Sequence, residues 1–195
     1  MVMKGKLYIV STPIGNLEDV TFRAIRILNE CDYLLAESSE RSSKILQKYN
    51  ISKKIVTFNK DNEKNKVSKI LNDLSKGSEI ALVSDAGTPS ISDPAFELIK
   101  LCDYKFAVIP IPGPSSLTCA LSISRIPINN FSFHGFLPKK KSGLIDSLKN
   151  IKATNLPAVI FESKTRLLQL LSTMSEILGK DVKINVFREL TKIHE

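Results

Sequence analysis

Three short stretches combine proline, glycine and small polar residues in a way that suits ligand binding: STPIGN at 11–16, SDAGTP at 84–89 and PIPGPSS at 110–116. Proline fixes φ and glycine permits positive φ, so such stretches hold backbone N–H and C=O groups in rigid, ligand-facing arrays. PGPSS also leads into an expected helix, where free N–H groups and the dipole favour a carboxylate or a phosphate. Carboxylates stand in matching places. Glu37, Asp85 and Glu162 each fall at or just past the end of an apolar run, where a carboxylate accepts from ribose hydroxyls or an ammonium group. Asp93 precedes Pro94 at an expected helix start and fits an N-cap instead.

The elements that must position these groups follow from hydrophobic pattern. Apolar runs that read as strands recur at LYIVS (7–11), YLLAE (33–37), KIVTF (54–58), EIALVS (79–84), FAVIPI (106–111), FSFHGF (131–136), AVIFE (158–162) and VKINVF (182–187). Most are continuous rather than alternating, as expected for strands buried on both faces. Helix-like segments lie between them, the last being KTRLLQLLSTMSEILGK, which Gly179 should stop. This alternation predicts an α/β protein with largely parallel sheets, as one sheet or two in succession. The segment SRIPINN (124–130) has no apolar period and is the expected linker, giving an N-terminal α/β domain over 1–122 and a C-terminal one over 123–195. The three ligand-facing stretches each follow a strand, at the carboxyl end where open parallel sheets bind their ligands.

Composition narrows the class. The chain has 195 residues, 43% of them hydrophobic, enough for a core. No apolar run reaches the ~18 residues of a membrane span, and MVMKGKLYIV lacks the features of a signal peptide, so a cytoplasmic protein is expected. Cys31, Cys102 and Cys119 are far apart and odd in number, which argues for buried thiols rather than disulfides or a metal site, and no metal is expected with only two histidines. The net charge of +8 suits a polyanionic partner, although lysine outweighs arginine as A/T-rich coding alone would produce. PKKKSG (138–143) is more pointed, since it follows an apolar segment and would put Lys139, Lys140 and Lys141 on a loop rim. GxGxxG, GxxxxGK[ST] and GxSxG are all absent, which removes the usual Rossmann, P-loop and α/β-hydrolase readings.

At these loops the sequence resembles the ribosomal RNA small subunit methyltransferase I family, a branch of the tetrapyrrole-methylase-like S-adenosylmethionine-dependent methyltransferases. The resemblance rests on LYIVSTPIGNLEDVTFRAIRIL, LVSDAGTPSISDP, PIPGPSSLTCALSISRIP, FHGFLPKKK, FESKTRLL and FRELTK, in family order from residue 7 onward. It implies two α/β domains with S-adenosylmethionine in the cleft between them. It also implies methyl transfer to the ribose 2′-hydroxyl of a cytidine in the decoding region of 16S ribosomal RNA, with the small ribosomal subunit as partner. The cofactor walls it implies are Pro13, Gly15 and Asn16; Ser84, Asp85, Ala86, Gly87, Thr88 and Pro89; and Pro112, Gly113, Pro114, Ser115 and Ser116. A ribose hydroxyl is a poor acid, so a base or a cation beside the developing alkoxide should assist. The matching motifs nominate Glu162, Arg166, Arg188, Glu189 and Lys192 for this, and Arg41 with Lys139, Lys140 and Lys141 for RNA.

The chain departs from that family in two places. Where members carry AEDTR it reads AESSER, with Ser38, Ser39 and Glu40 in place of Asp, Thr and Arg, and Arg41 one position later. Members also continue past RELTK with a further helix and strand, so the resemblance implies a sheet edge to be covered here, which a homodimer would do. A methylase of a tetrapyrrole-like acid and a catalytically degenerate cofactor-binding protein are the alternative readings.

Overall fold

The strands β1 (Lys6–Val10), β2 (Tyr33–Ala36), β3 (Ile55–Thr57), β4 (Glu79–Val83) and β5 (Ala107–Ile111) form one parallel sheet in the order β3-β2-β4-β1-β5. Consecutive residues of a strand point to opposite faces, and here both faces are covered. Tyr8, Val10, Leu34, Ala36, Ala81 and Val83 pack with Ala24, Ile27 and Leu28 of α1 (Phe22–Glu30) and Ile45 and Leu46 of α2 (Ser39–Lys48). Leu7, Ile9, Leu35, Ile80 and Leu82 pack with Val67, Ile70 and Leu74 of α3 (Glu63–Ser75) and Leu98 and Cys102 of α4 (Phe96–Cys102). Two covered faces explain why the strands read as unbroken apolar runs. Burying each such Leu or Ile contributes on the order of 1.5–3 kcal/mol.

The computed structural model describes residues 5–91 and 95–195; Asp93 and Pro94, read above as a helix cap, lie outside them. Contacts divide the chain into two units, one of residues 1–116 together with 189–195 and one of residues 117–188. The second unit holds α5 (Ser116–Ser122) from its second residue onward. It also contains β6 (Ser132–Phe136), α6 (Lys141–Thr154), β7 (Ala158–Phe161) and α7 (Leu167–Leu178). β6 and β7 pair in parallel with a register shift between Phe133 and Gly135, and Gly135 adopts φ +57 there, as a bulge requires. Leu137, Leu144, Leu148, Ile151 and Leu170 form this unit's core. α7 stops at Gly179, whose φ of +107 only glycine takes up without strain.

One expected strand does not form. VKINVF (182–187) has no regular structure, and Val182, Ile184 and Val186 are 36%, 41% and 56% exposed. Its apolar alternation suits a strand, but a strand also needs a ladder partner, and none of the described residues supplies one. The thiols follow the expectation more closely. Cys31 and Cys102 are buried and Cys119 is half-buried. Burial pushes the Cys102 thiol up to about 11 and raises that of Cys31, so both remain protonated and inert. Among the described residues, no helix is long and apolar enough to cross a membrane.

Candidate functional site

The topology singles out one place in the first unit. α1 and α2 cover one face of the sheet and α3 and α4 the other, so the chain leaves the neighbouring strands β1 and β4 towards opposite faces. A crevice opens at the carboxyl ends of two such strands, and this is where STPIGN and SDAGTP lie. PGPSS follows β5, which is β1's other neighbour.

The three loops are tied together by hydrogen bonds. Thr12 and Gly87 exchange two backbone hydrogen bonds of 2.9 Å each, an antiparallel bridge beyond the end of the parallel sheet. Ser11 N–H donates to Ile111 O at 3.2 Å, extending the β1–β5 ladder by one rung. The Thr88 hydroxyl donates to Pro114 O at 3.2 Å, and Ser11 Oγ lies 2.9 Å from Thr88 Oγ1. A hydroxyl has one proton to give, so Ser11 is the donor in the latter contact. Ser84 Oγ, buried, donates to Ala86 O at 3.2 Å and keeps the SDAG turn tight. Two glycines sit where side chains would intrude. Gly87 adopts φ +80, and a Cβ on Gly113 would lie 3.0 Å from Ser11 Cβ.

Asp85 lines a small cavity of about 50 Å³ together with Thr12, Pro13, Leu17, Arg41, Ser42, Ile45 and Ser84. Oδ2 accepts from Arg41 Nη1 at 2.8 Å, while Oδ1 is buried with no hydrogen-bond partner. A buried carboxylate oxygen without a donor is costly, which singles out Oδ1 as a candidate acceptor. Arg41, expected at RNA, thus stands at the rim of this cavity with its side chain 65% exposed. Ser38 caps α2 by accepting from Arg41 N–H at 3.4 Å, so the AESSER variant still supplies a helix start and an arginine at this edge.

Gly15 and Asn16 lie against the last residues of the chain. A Cβ on Gly15 would come within 2.5 Å of Lys192 Cγ and 2.9 Å of Leu190 O. Asn16 N–H donates to Thr191 Oγ1 at 3.1 Å, and its side chain accepts from Glu18 N–H at 3.1 Å. Leu190, Thr191 and Lys192 therefore lie on the loop after β1, and Lys192 Nζ pairs with Glu189 Oε2 at 2.9 Å beside it. Of the remaining wall residues, Pro89 is buried, Pro114, Ser115 and Ser116 are half-buried, and Ala86 and Pro112 are exposed.

In the second unit, Glu162 follows β7 and its carboxylate is 6% exposed. Oε1 accepts from Ser163 N–H at 2.7 Å, and Oε2 lies 3.3 Å from Arg166 Nη2, at ion-pair distance but without hydrogen-bond geometry. Lys139, Lys140 and Lys141 are exposed where α6 begins, and Arg188 is exposed at the end of the unit. The sequence reading singled out STPIGN without naming Ser11 and Thr12 individually, and it missed Ser42 and Ile45. For Ser11 and Thr12 the signal was present, two hydroxyl residues directly after a buried strand; nothing local marked Ser42 or Ile45.

The chain matches the family described as Tetrapyrrole (Corrin/Porphyrin) Methylases over residues 6–195. It is 45% identical over 192 residues to the ribosomal RNA small subunit methyltransferase I of Thermotoga maritima, covering 98% of this chain and 86% of that protein. Its identity to the protein of the same name from Halalkalibacterium halodurans is 44%, covering 98% of this chain and 66% of the relative. For the Escherichia coli O157:H7 protein of that name the figures are 40%, 98% and 68%. In fold, it is similar to a crystal structure of uroporphyrin III C-methyl transferase from Thermus thermophilus, with a TM-score of 0.64, 15% identity, and coverage of 90% of this chain and 78% of that one. The knitted loops at the switch point, the fold and these relatives lead to one assignment: the chain belongs to the tetrapyrrole methylase family and, within it, to the ribosomal RNA small subunit methyltransferase I group.

Proposed function

We propose that this chain is an S-adenosylmethionine-dependent methyltransferase that modifies the ribose 2′-hydroxyl of a cytidine in the decoding region of 16S ribosomal RNA. It does so in the cytoplasm, on the small ribosomal subunit and as a homodimer, which would also cover the exposed segment 182–187. The observation that carries this reading is identity of 40–45% to ribosomal RNA methyltransferases across 98% of the chain.

The site fits the cofactor as a floor rather than as a closed pocket. The cavity beside Asp85 is about 50 Å³, against roughly 300–1,000 Å³ for small-molecule sites. What the unit offers is the unpartnered Asp85 Oδ1, matched to a ribose hydroxyl or an ammonium group, and loops that Gly87 and Gly113 allow to lie in close contact with one another. Bound there, S-adenosylmethionine supplies a methyl group already made electrophilic by its sulfonium. The protein's share is then placement and exclusion of water. The Ser11–Thr88–Pro114 chain of hydrogen bonds and the Thr12–Gly87 bridge keep the floor rigid. Of the five groups nominated for the chemistry, Glu189 and Lys192 lie against the loop after β1, within the same unit as this floor. We assign Lys192 to stabilising the developing alkoxide and Glu189 to holding the Lys192 ammonium in place.

RNA contact is assigned to Lys139, Lys140 and Lys141. Lys140 is the N-cap of α6 and has no capping hydrogen bond, since an ammonium cannot accept one. Lysines here also face the positive end of the helix dipole. Local stability thus argues against these residues, and a residue that opposes its local setting signals a demand from function. Lys140→Ser is accordingly expected to raise stability by about 0.5–1 kcal/mol in a thermal melt. The same variant should weaken binding to small subunits and reduce the slope of log affinity against log salt by roughly 0.7. An unaltered slope would return the lysines to solvated surface.

The function itself is tested by incubating the purified chain with labelled S-adenosylmethionine and unmethylated small subunits, then mapping 2′-O-methylated nucleotides. A single methylated cytidine in the decoding region is the expected result. Cofactor binding without methylation would favour the degenerate reading.

A further inference from the structure

Arg166 carries more hydrogen bonds than a catalytic group needs, and all of them turn inward. It is the residue before α7. Its Nη1 and Nη2 lie 3.4 and 3.3 Å from Leu137 O, and Nη2 also donates to Pro138 O at 3.1 Å. Nη2 is 3.3 Å from Glu162 Oε2 as well, and the Arg166 side chain is only 20% exposed. Leu137 is buried directly after β6, and Pro138 directly precedes the three lysines. On the other side of the lysines, a Cβ on Gly143 in the first turn of α6 would lie 3.0 Å from Pro138 Cβ, so the helix start is close-packed against the same proline. The lysine stretch is therefore a short arch, pinned where it leaves β6 by the guanidinium and where it enters α6 by close packing.

From this geometry we propose that Arg166 is a positioning residue: it fixes the carbonyls of Leu137 and Pro138 and thereby sets the direction in which Lys139, Lys140 and Lys141 meet RNA phosphates. The proposal rests on the reading that these lysines contact RNA. Only arginine suits the task. Its planar fork reaches two successive carbonyls and a carboxylate at once, whereas an ammonium is a point charge that cannot span them. Glu162 compensates the guanidinium, which would otherwise be a largely buried unpaired charge. This arrangement leaves Arg166 little surface for substrate and makes Glu162 its counter-ion.

The test measures small-subunit affinity across a range of salt concentrations for wild type, Arg166→Lys, the Lys139→Ala/Lys140→Ala/Lys141→Ala triple variant, and the combination of both. Arg166→Lys keeps the charge and loses the fork. It should weaken affinity about tenfold and flatten the salt slope, because misdirected lysines displace fewer counterions. Added to the triple variant it should cause no further loss, since residues acting through one another are not additive. Glu162→Gln, which keeps Arg166 and removes its counter-ion, should act in the same direction and serves if Arg166→Lys does not fold. A full additional loss in the combination would overturn the proposal, as would unchanged affinity in Arg166→Lys, or turnover lost at saturating subunit with affinity intact. A triple variant with wild-type affinity and salt slope would instead overturn the lysine reading beneath it, and the proposal with it.

Discussion

Gly87→Arg is expected to abolish S-adenosylmethionine binding, measured by calorimetry on the folded protein. Gly87 is held by two hydrogen bonds to Thr12, and its φ of +80 directs any side chain towards Ile14 and Pro114: a Cβ there would lie 3.3 Å from Ile14 Cγ2 and 3.7 Å from Pro114 O. The added side chain thus enters the space between the loops after β1 and β5 and forces apart the loops of the proposed floor. Backbone strain alone costs about 1–2 kcal/mol for a residue with a Cβ in this region, so Gly87→Ala separates strain from obstruction. Alanine should lower the melting temperature yet retain measurable cofactor binding, whereas arginine should remove binding outright. Gly113→Arg should behave similarly, because a Cβ there already comes within 3.0 Å of Ser11 Cβ. Unchanged affinity in both arginine variants would mean that these loops do not form the cofactor's floor.

Asp85→Asn should lower S-adenosylmethionine affinity by roughly 10- to 100-fold while leaving stability nearly unchanged, since hydrogen bonds to charged groups contribute about 1.5–3 kcal/mol. The two effects separate because the two carboxylate oxygens have different surroundings. Oδ2 meets Arg41, whose side chain is 65% exposed, and an ion pair so open to solvent is worth only about 0–1 kcal/mol. Oδ1 is buried and without a donor, so the gain from a ligand's hydroxyl or ammonium falls almost wholly on binding. Arg41→Gln, which removes only the exposed partner, should cost far less affinity. If Asp85→Asn binds as tightly as wild type, the oxygen serves some other donor and the ligand lies elsewhere on the sheet edge.

Much of this architecture was readable before any coordinates. The unbroken runs of β1 and β4 announced strands covered on both faces, and the helices on each side of them bear that out. The loops after β1 and β4 could be picked out because proline, glycine and hydroxyl residues directly follow those strands, and Gly179 marked the end of α7 because positive φ is written in the residue type itself. VKINVF misled for an equally physical reason. Its alternation satisfies the side-chain requirement of a strand but says nothing of the backbone ladder, which some other segment has to supply.

The chain's local chemistry therefore fixed its elements, its parallel strand pattern and the stretches fit to meet a ligand, because propensity, periodicity and turn geometry depend on residues close in sequence. Tertiary structure alone decided which of those residues share a task. Asn16 and Thr191 are 175 positions apart and Arg41 and Asp85 are 44 apart. Gly15 lies against Leu190, Thr191 and Lys192, and Arg166 faces carbonyls 28 and 29 positions upstream. Such pairings arise only when the folded sheets and their helices bring distant segments within hydrogen-bond reach, a condition set by the packing of a whole unit rather than by any stretch within it.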